Sequence, residues 1–210
     1  MSLVLVGSTS GSITLQEPAV AGTTTINLPA TSGTALVAPT ALTVPNTTGT
    51  VMVSGNMPAF SAYVGTTQNF SSNTTTLAQI NTKEFDTNTC FNNTGSTTTL
   101  NGISVPAYSF APNVAGYYKV SAGLSLQSNG TGTNLISWLY KNGSAWKQGN
   151  QFNNGGSNDA TLVTACLVYM NGTSDYINMY VRSSNSSYIS DGGSPFYVYS
   201  HFSAAMVRGA

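Results

Sequence analysis

The sequence predicts an all-β protein, a sandwich of antiparallel strands preceded by an arm of short strands. Thr, Ser and Asn make up 77 of the 210 residues, and these side chains compete for backbone hydrogen bonds or branch at Cβ, which disfavours helices. From about residue 55 onward, aromatic-rich runs of strand length alternate with turns, and no stretch keeps a helical period. Asn-Gly pairs, the strongest short hairpin signal, recur along the chain, for example at Asn101, Asn129, Asn142 and Asn171.

Residues 1–55 contain an internal repeat with an offset of 16 residues. TINLPATSGTALV from Thr25 aligns with ALTVPNTTGTVMV from Ala41, and a fainter copy begins at Ser12. Each unit predicts a short strand, a Pro that ends pairing, a Thr/Ser/Gly turn and a second short strand. Such a unit is too short to bury its apolar face alone, so we expect a shaft or anchoring arm that stacks on neighbours or winds around identical chains. A disordered Thr-rich linker is the alternative on composition.

Residues 57–210 carry a series of strand and turn motifs in a fixed order. The first three are AFSA from Ala59, INTKEFDTNTCFNN from Ile80, and F-x-P-x-x-x-G-x-Y at Phe110, Pro112, Gly116 and Tyr118. The later ones are Lys141-Asn142-Gly143, CLVYMNGTSDYINMYV from Cys166, and a closing strand from Phe202 to Val207.

In this order the motifs resemble the C1q/TNF-like head domain. The resemblance implies a ten-stranded-type jelly-roll β-sandwich that forms a homotrimer, with Gly116 making a turn between core aromatics. In that family the last strand lies near the three-fold axis, which makes Tyr199, His201, Phe202 and Met206 candidates for the trimer interface. There is no collagen stalk upstream. The Thr/Gly/Pro repeat in its place is similar to the arms of bacteriophage fibre and virion-surface proteins that carry this head as a tip.

The scarcity of charge excludes several classes of function. The chain has six basic and six acidic residues, so 6% of it is charged, against about 25% in an ordinary domain. With no basic run there is no electrostatic footprint for nucleic acid or anionic membranes. The opening MSLVLVG has no basic region and only a short apolar run, so we expect neither a signal peptide nor membrane insertion.

The sequence predicts neither catalytic residues nor a cofactor nor a metal. His201 is the one histidine, and the acids closest in sequence on a strand, Glu84 and Asp86, match ordinary strand-end residues of the family. Cys90 and Cys166 fit free thiols or one disulfide and match no zinc spacing. Calcium would need dense acidic spacing, which the loop acids Asp159, Asp175 and Asp191 lack.

Two loops are the candidates for ligand binding. KQGNQFNNGGSND begins at Lys147 and SSNSSYISDGGSPFY at Ser183. Each combines an aromatic ring, which can stack on a sugar, with amides and hydroxyls that can bind its hydroxyl groups. The alternative is that both are merely soluble turns. The candidate residues are Gln151, Phe152, Asn153, Asn154, Asp159, Tyr188 and Asp191.

The family resemblance, together with the repeat arm, implies a homotrimeric phage fibre or surface-decoration protein, located in the virion and assembled in the host cytoplasm. Residues 1–55 would attach to other virion proteins, and the head, residues 57–210, would contact host-surface glycan. One alternative is a capsid cement protein that stabilises the particle and recognises no host. Another is a soluble bacterial lectin, and an enzyme is the class that the sequence supports least.

Overall fold

A computed structural model of the chain describes residues 3–6, 12–15, 52, 54–128, 133–154, 159–190 and 199–210. Within these residues the protein is all-β, and its helical content is one 3-10 turn at Ser54–Asn56. The chain divides by internal contacts into two compact units, residues 1–46 and 47–210.

The described strands, in chain order, are β1 Leu3–Val6, β2 Ser12–Leu15, β3 Ala59–Tyr63, β4 Gln68–Phe70, β5 Thr76–Leu77, β6 Thr82–Asp86, β7 Phe91–Asn92, β8 Thr98–Leu100, β9 Ile103–Val105, β10 Ser109–Phe110, β11 Gly116–Ser128, β12 Thr133–Lys141, β13 Ser144–Asn154, β14 Asp159–Met170, β15 Ile177–Ser183, β16 Ser187–Ile189 and β17 His201–Gly209.

In the first unit, β1 and β2 form an antiparallel hairpin, with Leu3 opposite Leu15 and Val6 opposite Ser12. Strand β2 is the SITL segment of the faint first copy of the repeat. The two clearer copies, from Thr25 and from Ala41, lie outside the described residues apart from Met52.

The second unit is a jelly-roll sandwich of two antiparallel sheets, as the sequence predicted. The sheet that we call the β12 sheet has the order β13-β12-β15-β10-β7, with β5 also paired to β15. The β11 sheet has the order β4-β16-β11-β17-β3-β6, with β14 along the other side of β11. A small hairpin, β8–β9, completes the unit.

Asn-Gly pairs make the turns that the sequence predicted for them at two described sites. Asn142 and Gly143, with φ of 53° and 80°, join β12 to β13, and Asn101 and Gly102, with φ of 50° and 79°, join β8 to β9. Positive φ at both central residues is the geometry that matches the twist of a hairpin. The predicted turn at Asn129 lies outside the described residues.

The core lies between the sheets and is aromatic around Phe60. Its ring stacks on Phe91 with centroids 4.3 Å apart and meets Phe202 edge-on at 5.1 Å. Phe110 lies 5.0 Å from Phe60 and 5.4 Å from Tyr118. The rings of the F-x-P-x-x-x-G-x-Y motif therefore pack in the core, as the resemblance implied.

Gly116 has a different role from the predicted one. It is the first residue of β11 rather than a turn residue. A Cβ there would lie 2.5 Å from the carbonyl oxygen of Arg208 and 2.6 Å from the terminal methyl of Met206. The glycine is needed because the neighbouring strand β17 lies too close to this position to leave room for a side chain.

A candidate self-association face and the predicted loops

The outward face of the β11 sheet carries large exposed apolar side chains on several of its strands. It is formed by residues that alternate with the core positions of β14, β11, β17, β3 and β6. Its large exposed members are Tyr117, Val163, Leu167, Tyr169, Val207 and Phe85. Tyr117 and Tyr169 are in contact with each other, and clusters of exposed apolar side chains mark contact sites more often than ordinary protein surface. We call it the β11 face.

The centre of the β11 face consists mainly of small residues. Ser121 of β11 lies opposite Ser203 of β17 and Ala165 of β14, and Gly123 lies opposite His201. The His201 ring lies over Gly123, and a Cβ added to that glycine would meet the ring carbon Cε1 at 2.7 Å. Small side chains leave the backbone accessible, so another chain can approach this centre closely.

The border of the face along β14 carries large apolar side chains. Leu167 is 61% exposed and Val163 is 53% exposed. Tyr169 lies opposite Tyr117, with ring centroids 5.5 Å apart, and Arg208 covers the Tyr117 ring at 5.7 Å. The β11 face therefore combines a shallow centre with a projecting border.

The segment TLVTACLVYM of β14 is apolar toward both sides. Leu162, Val168 and Met170 face the core, while Val163, Leu167 and Tyr169 face outward. A continuous apolar run is typical of strands that are covered on both faces. The candidate interface residues predicted from the sequence did not include this run, although its apolar character is plain in the sequence.

The outer edge of β14 is partly capped by side chains of the neighbouring sheet. Val163 donates its N–H to Asn150 Oδ1 at 2.6 Å, and Lys141 Nζ donates to the Tyr169 carbonyl at 2.8 Å. A buried bond between Ser137 and Thr164 at 3.1 Å joins the two sheets beside them. Capping an edge strand in this way hinders pairing with another strand. Association here would therefore use the face rather than strand addition.

The predicted trimer-interface residues divide between the two sides of β17. Phe202 is 0% exposed and Met206 is 6% exposed, and both lie in the core. This corrects the expectation for these two side chains, because a side chain packed inside one subunit offers no surface to another. His201 lies on the β11 face, and Tyr199 is exposed just before β17. For those two residues the interface stays a prediction.

The first predicted loop is mostly strand. Lys147 to Asn154 belong to β13, and β14 begins at Asp159. Gln151 lies opposite Ile136 and Asn153 opposite Asn134, on the outward face of the β12 sheet, whereas Phe152 lies opposite the core residue Leu135 and so points to the other side. The expected grouping of Phe152 with these amides is therefore corrected, because alternation along a strand separates them.

The second predicted loop also contains a strand. Tyr188 is the middle residue of β16 in the β11 sheet, opposite Asn69 and Gln127. Asp191 lies outside the described residues. Tyr188 thus belongs to a different sheet from Gln151 and Asn153, and the described parts of the two loops do not meet in one site.

Three acidic side chains of the head, Glu84, Asp86 and Asp175, have structural partners. Burial raises the pKa of Asp86, but hydrogen bonds from Lys83 and from the Cys90 amide at 2.8 Å outweigh it and hold the pKa below its usual value. Glu84, at a bulge in β6, instead accepts a hydrogen bond from the Ser61 hydroxyl at 2.5 Å. The two carboxylates serve different contacts.

Asp175 holds the turn between β14 and β15. Burial raises its pKa, but hydrogen bonds from Asn142 at 2.7 Å and from Lys141 at 3.0 Å outweigh that and lower it. Its second oxygen also accepts the Asn171 N–H.

Among the described residues no group of three His, Cys, Asp or Glu side chains could hold a metal.

Both cysteines are free thiols. Burial raises the pKa of Cys90 far above its usual range, and the Asp86 carboxylate, which accepts its S–H at 3.2 Å, raises it further. Burial also raises the pKa of Cys166.

Of the helices in the described residues, none is long and apolar enough to cross a membrane.

No protein-family model and no curated protein matches the sequence. Among solved structures, the tumour-necrosis factor Eiger from S. frugiperda matches with 8% identity and a TM-score of 0.43, over 73% of this chain and 93% of that one. Murine APRIL at pH 8.5 matches with 12% identity and a TM-score of 0.45, over 72% and 99%. The PRD1 vertex protein P5 matches with 13% identity and a TM-score of 0.37, over 73% and 98%. TM-scores this low support no inference about assembly or function.

Proposed function

We propose that the protein is a homotrimeric phage fibre or virion-surface protein whose jelly-roll head contacts glycan on the host surface. The observation that carries the trimer is the shape of the β11 face. Large apolar side chains project along its β14 border, and small residues form its centre.

This arrangement favours a heterologous contact over a symmetric pair. The projecting border of one head fits the shallow centre of the next, whereas two identical faces placed together would put small residues on small residues. A contact between two different patches forms a closed ring when the rotation that relates one subunit to the next is a whole fraction of a full turn. Three heads arranged in this way cover Val163, Leu167 and Tyr169 of every subunit.

Low charge makes association through this face possible. The described ion pairs, Lys83–Asp86 and Lys141–Asp175, lie within the subunit. Lys119 is the charged residue in the centre of the β11 face, opposite Leu167 and Ala205. Few charges would have to be desolvated on assembly, which keeps the cost of burial low.

The assignment to a virion rests on the sequence. The 16-residue Thr/Gly/Pro repeat of residues 1–55 resembles the arms of phage fibre proteins, and such an arm would anchor the trimer to other virion proteins. The glycan contact is proposed from the uncharged, amide-rich and aromatic surface of the head, since amides bind sugar hydroxyls and rings stack on sugar faces.

Cryo-electron microscopy of the particle that encodes the protein tests this function. We expect the arm threaded into the particle and the β12 sheet facing outward and free. A head packed flat against capsid subunits would show the cement protein instead, and absence of the protein from the particle would favour the soluble lectin.

A further inference from the structure

A small polar cavity lies on the outward side of the β12 sheet, where β15 ends and β12 begins. It measures about 190 Å³ and is lined by Asn73, Asn134, Ile136, Arg182 and Ser184. Pockets for drug-sized ligands measure about 300–1,000 Å³, so this smaller cavity suits one small unit such as a single sugar ring.

Arg182 gives the cavity an available positive charge. Its side chain is exposed, and Nη2 donates to Asn73 Oδ1 at 3.0 Å. A guanidinium has five N–H donors, and within the described residues no carboxylate pairs with it, unlike Lys83 and Lys141. Its planar fork matches the geometry of a carboxylate.

Asn134 provides an acceptor without a partner. Its Oδ1 is shielded from solvent and has no hydrogen-bond partner among the described residues. A buried polar atom left in this state costs free energy. A ligand hydroxyl would remove that cost by donating to Oδ1, once the Asn134 side-chain amide turns this oxygen from its shielded position toward the cavity.

The walls of the cavity are held in place by backbone bonds. Asn134 N–H donates to Ser184 Oγ at 2.8 Å, and Ser184 N–H donates to the Asn134 carbonyl at 3.0 Å. Asn73, at φ 57°, donates its N–H to the Ser183 carbonyl at 2.7 Å. The backbone that carries these polar groups is thus fixed before a ligand arrives, which lowers the cost of binding.

An aromatic surface extends from the cavity along the same two strands. Ile136 lies opposite Arg182, and the next outward pair is Trp138 opposite Tyr180, about 7 Å away along the strands. Tyr140 packs on Tyr180 with ring centroids 4.1 Å apart. These half-buried rings offer a surface on which a second sugar can stack.

We propose that this cavity binds the acidic sugar of a host glycan, with the carboxylate of a uronic-acid-type unit on Arg182, its hydroxyl on Asn134 Oδ1, and the next sugar on Trp138 and Tyr180. Gln151 and Asn153, opposite Ile136 and Asn134, border the site and are the two predicted loop residues that belong to it. The proposal rests on the glycan-contacting role proposed for the head and adds its place and its chemistry.

Saturation-transfer NMR of the full-length protein with sodium glucuronate tests the site, with glucose and sodium acetate as comparison ligands. We expect transfer to the glucuronate ring protons and at least tenfold weaker binding of glucose and of acetate, since each lacks half of the contacts. Arg182→Gln should weaken glucuronate at least tenfold, because a hydrogen bond to a charged group is lost. Lys147→Gln removes the same charge from β13 at a position opposite the core-facing Leu139, and should leave binding unchanged.

Arg182→Lys keeps the charge without the fork and should bind with intermediate affinity, and thermal melting checks that each variant is folded. The sugar site would be overturned if acetate bound as tightly as glucuronate. It would also be overturned if Lys147→Gln and Arg182→Gln lost the same amount of glucuronate affinity. If the wild-type protein does not bind glucuronate but still forms a trimer that binds host cells, the cavity proposal fails while the proposed function stands. If the trimer binds neither, both fail.

Discussion

Replacing Leu167 with Asp should abolish trimer formation without unfolding the head. Leu167 is 61% exposed in the single subunit, so assembly buries roughly three fifths of a side chain whose full burial is worth about 2 kcal/mol. The variant loses that contribution, about 1 kcal/mol per copy. It must also desolvate a carboxylate, which costs several kcal/mol more, because the attraction to Lys119 on the strand opposite repays only part of the desolvation of two charges.

Three copies per trimer multiply the effect to about 10 kcal/mol or more, enough to leave subunits apart at micromolar concentration. Sedimentation velocity measures the change. Thr99→Asp places the same charge on an exposed strand of the β8–β9 hairpin and is the matched control. A trimer that tolerates Leu167→Asp as well as it tolerates Thr99→Asp would refute the assignment of the β11 face.

Three further substitutions test the fold. Phe202→Ala should lower the free energy of unfolding by about 3–5 kcal/mol, because it opens a cavity in the core; a loss below about 1 kcal/mol in urea titration would mean that the ring is not buried. Gly149→Ala should cost about 1–3 kcal/mol, since a Cβ would collide with the Thr164 and Ser137 hydroxyls, and an unchanged melting temperature would contradict that packing. The depressed pKa of Asp86 stabilises the fold at neutral pH, and this contribution is lost as pH falls below about 4. Asp86→Asn should therefore lose stability at pH 7 and lose less than wild type on going to pH 3; parallel pH curves would exclude this linkage.

The fold class followed from composition and turn chemistry. Asn101 and Asn142 adopt the positive φ that a two-residue hairpin turn requires, and Phe110 and Tyr118 pack together in the core, as the family resemblance implied. The turn chemistry is local, so a single sequence can specify it, whereas the core packing was expected from the resemblance.

The surfaces were harder to predict because they depend on where each strand begins and ends and on which side of the sheet each residue lies. The polar run from Lys147 has loop composition yet lies mostly in a strand, where pairing with β12 overrides propensity. Phe202 and His201 are adjacent in sequence and face opposite sides, so one enters the core and the other the β11 face. The cavity at Arg182 joins residues from positions 73 to 184, a grouping that only the fold creates.

Whether three chains associate through the β11 face is decided first by the mass of the full-length protein at micromolar concentration, measured by sedimentation equilibrium. We expect a single species of about 65 kDa, three times the 21.8 kDa chain. A species of about 22 kDa would be a monomer and would contradict the proposed trimer. The exposed border of β14 would then be left uncovered in solution.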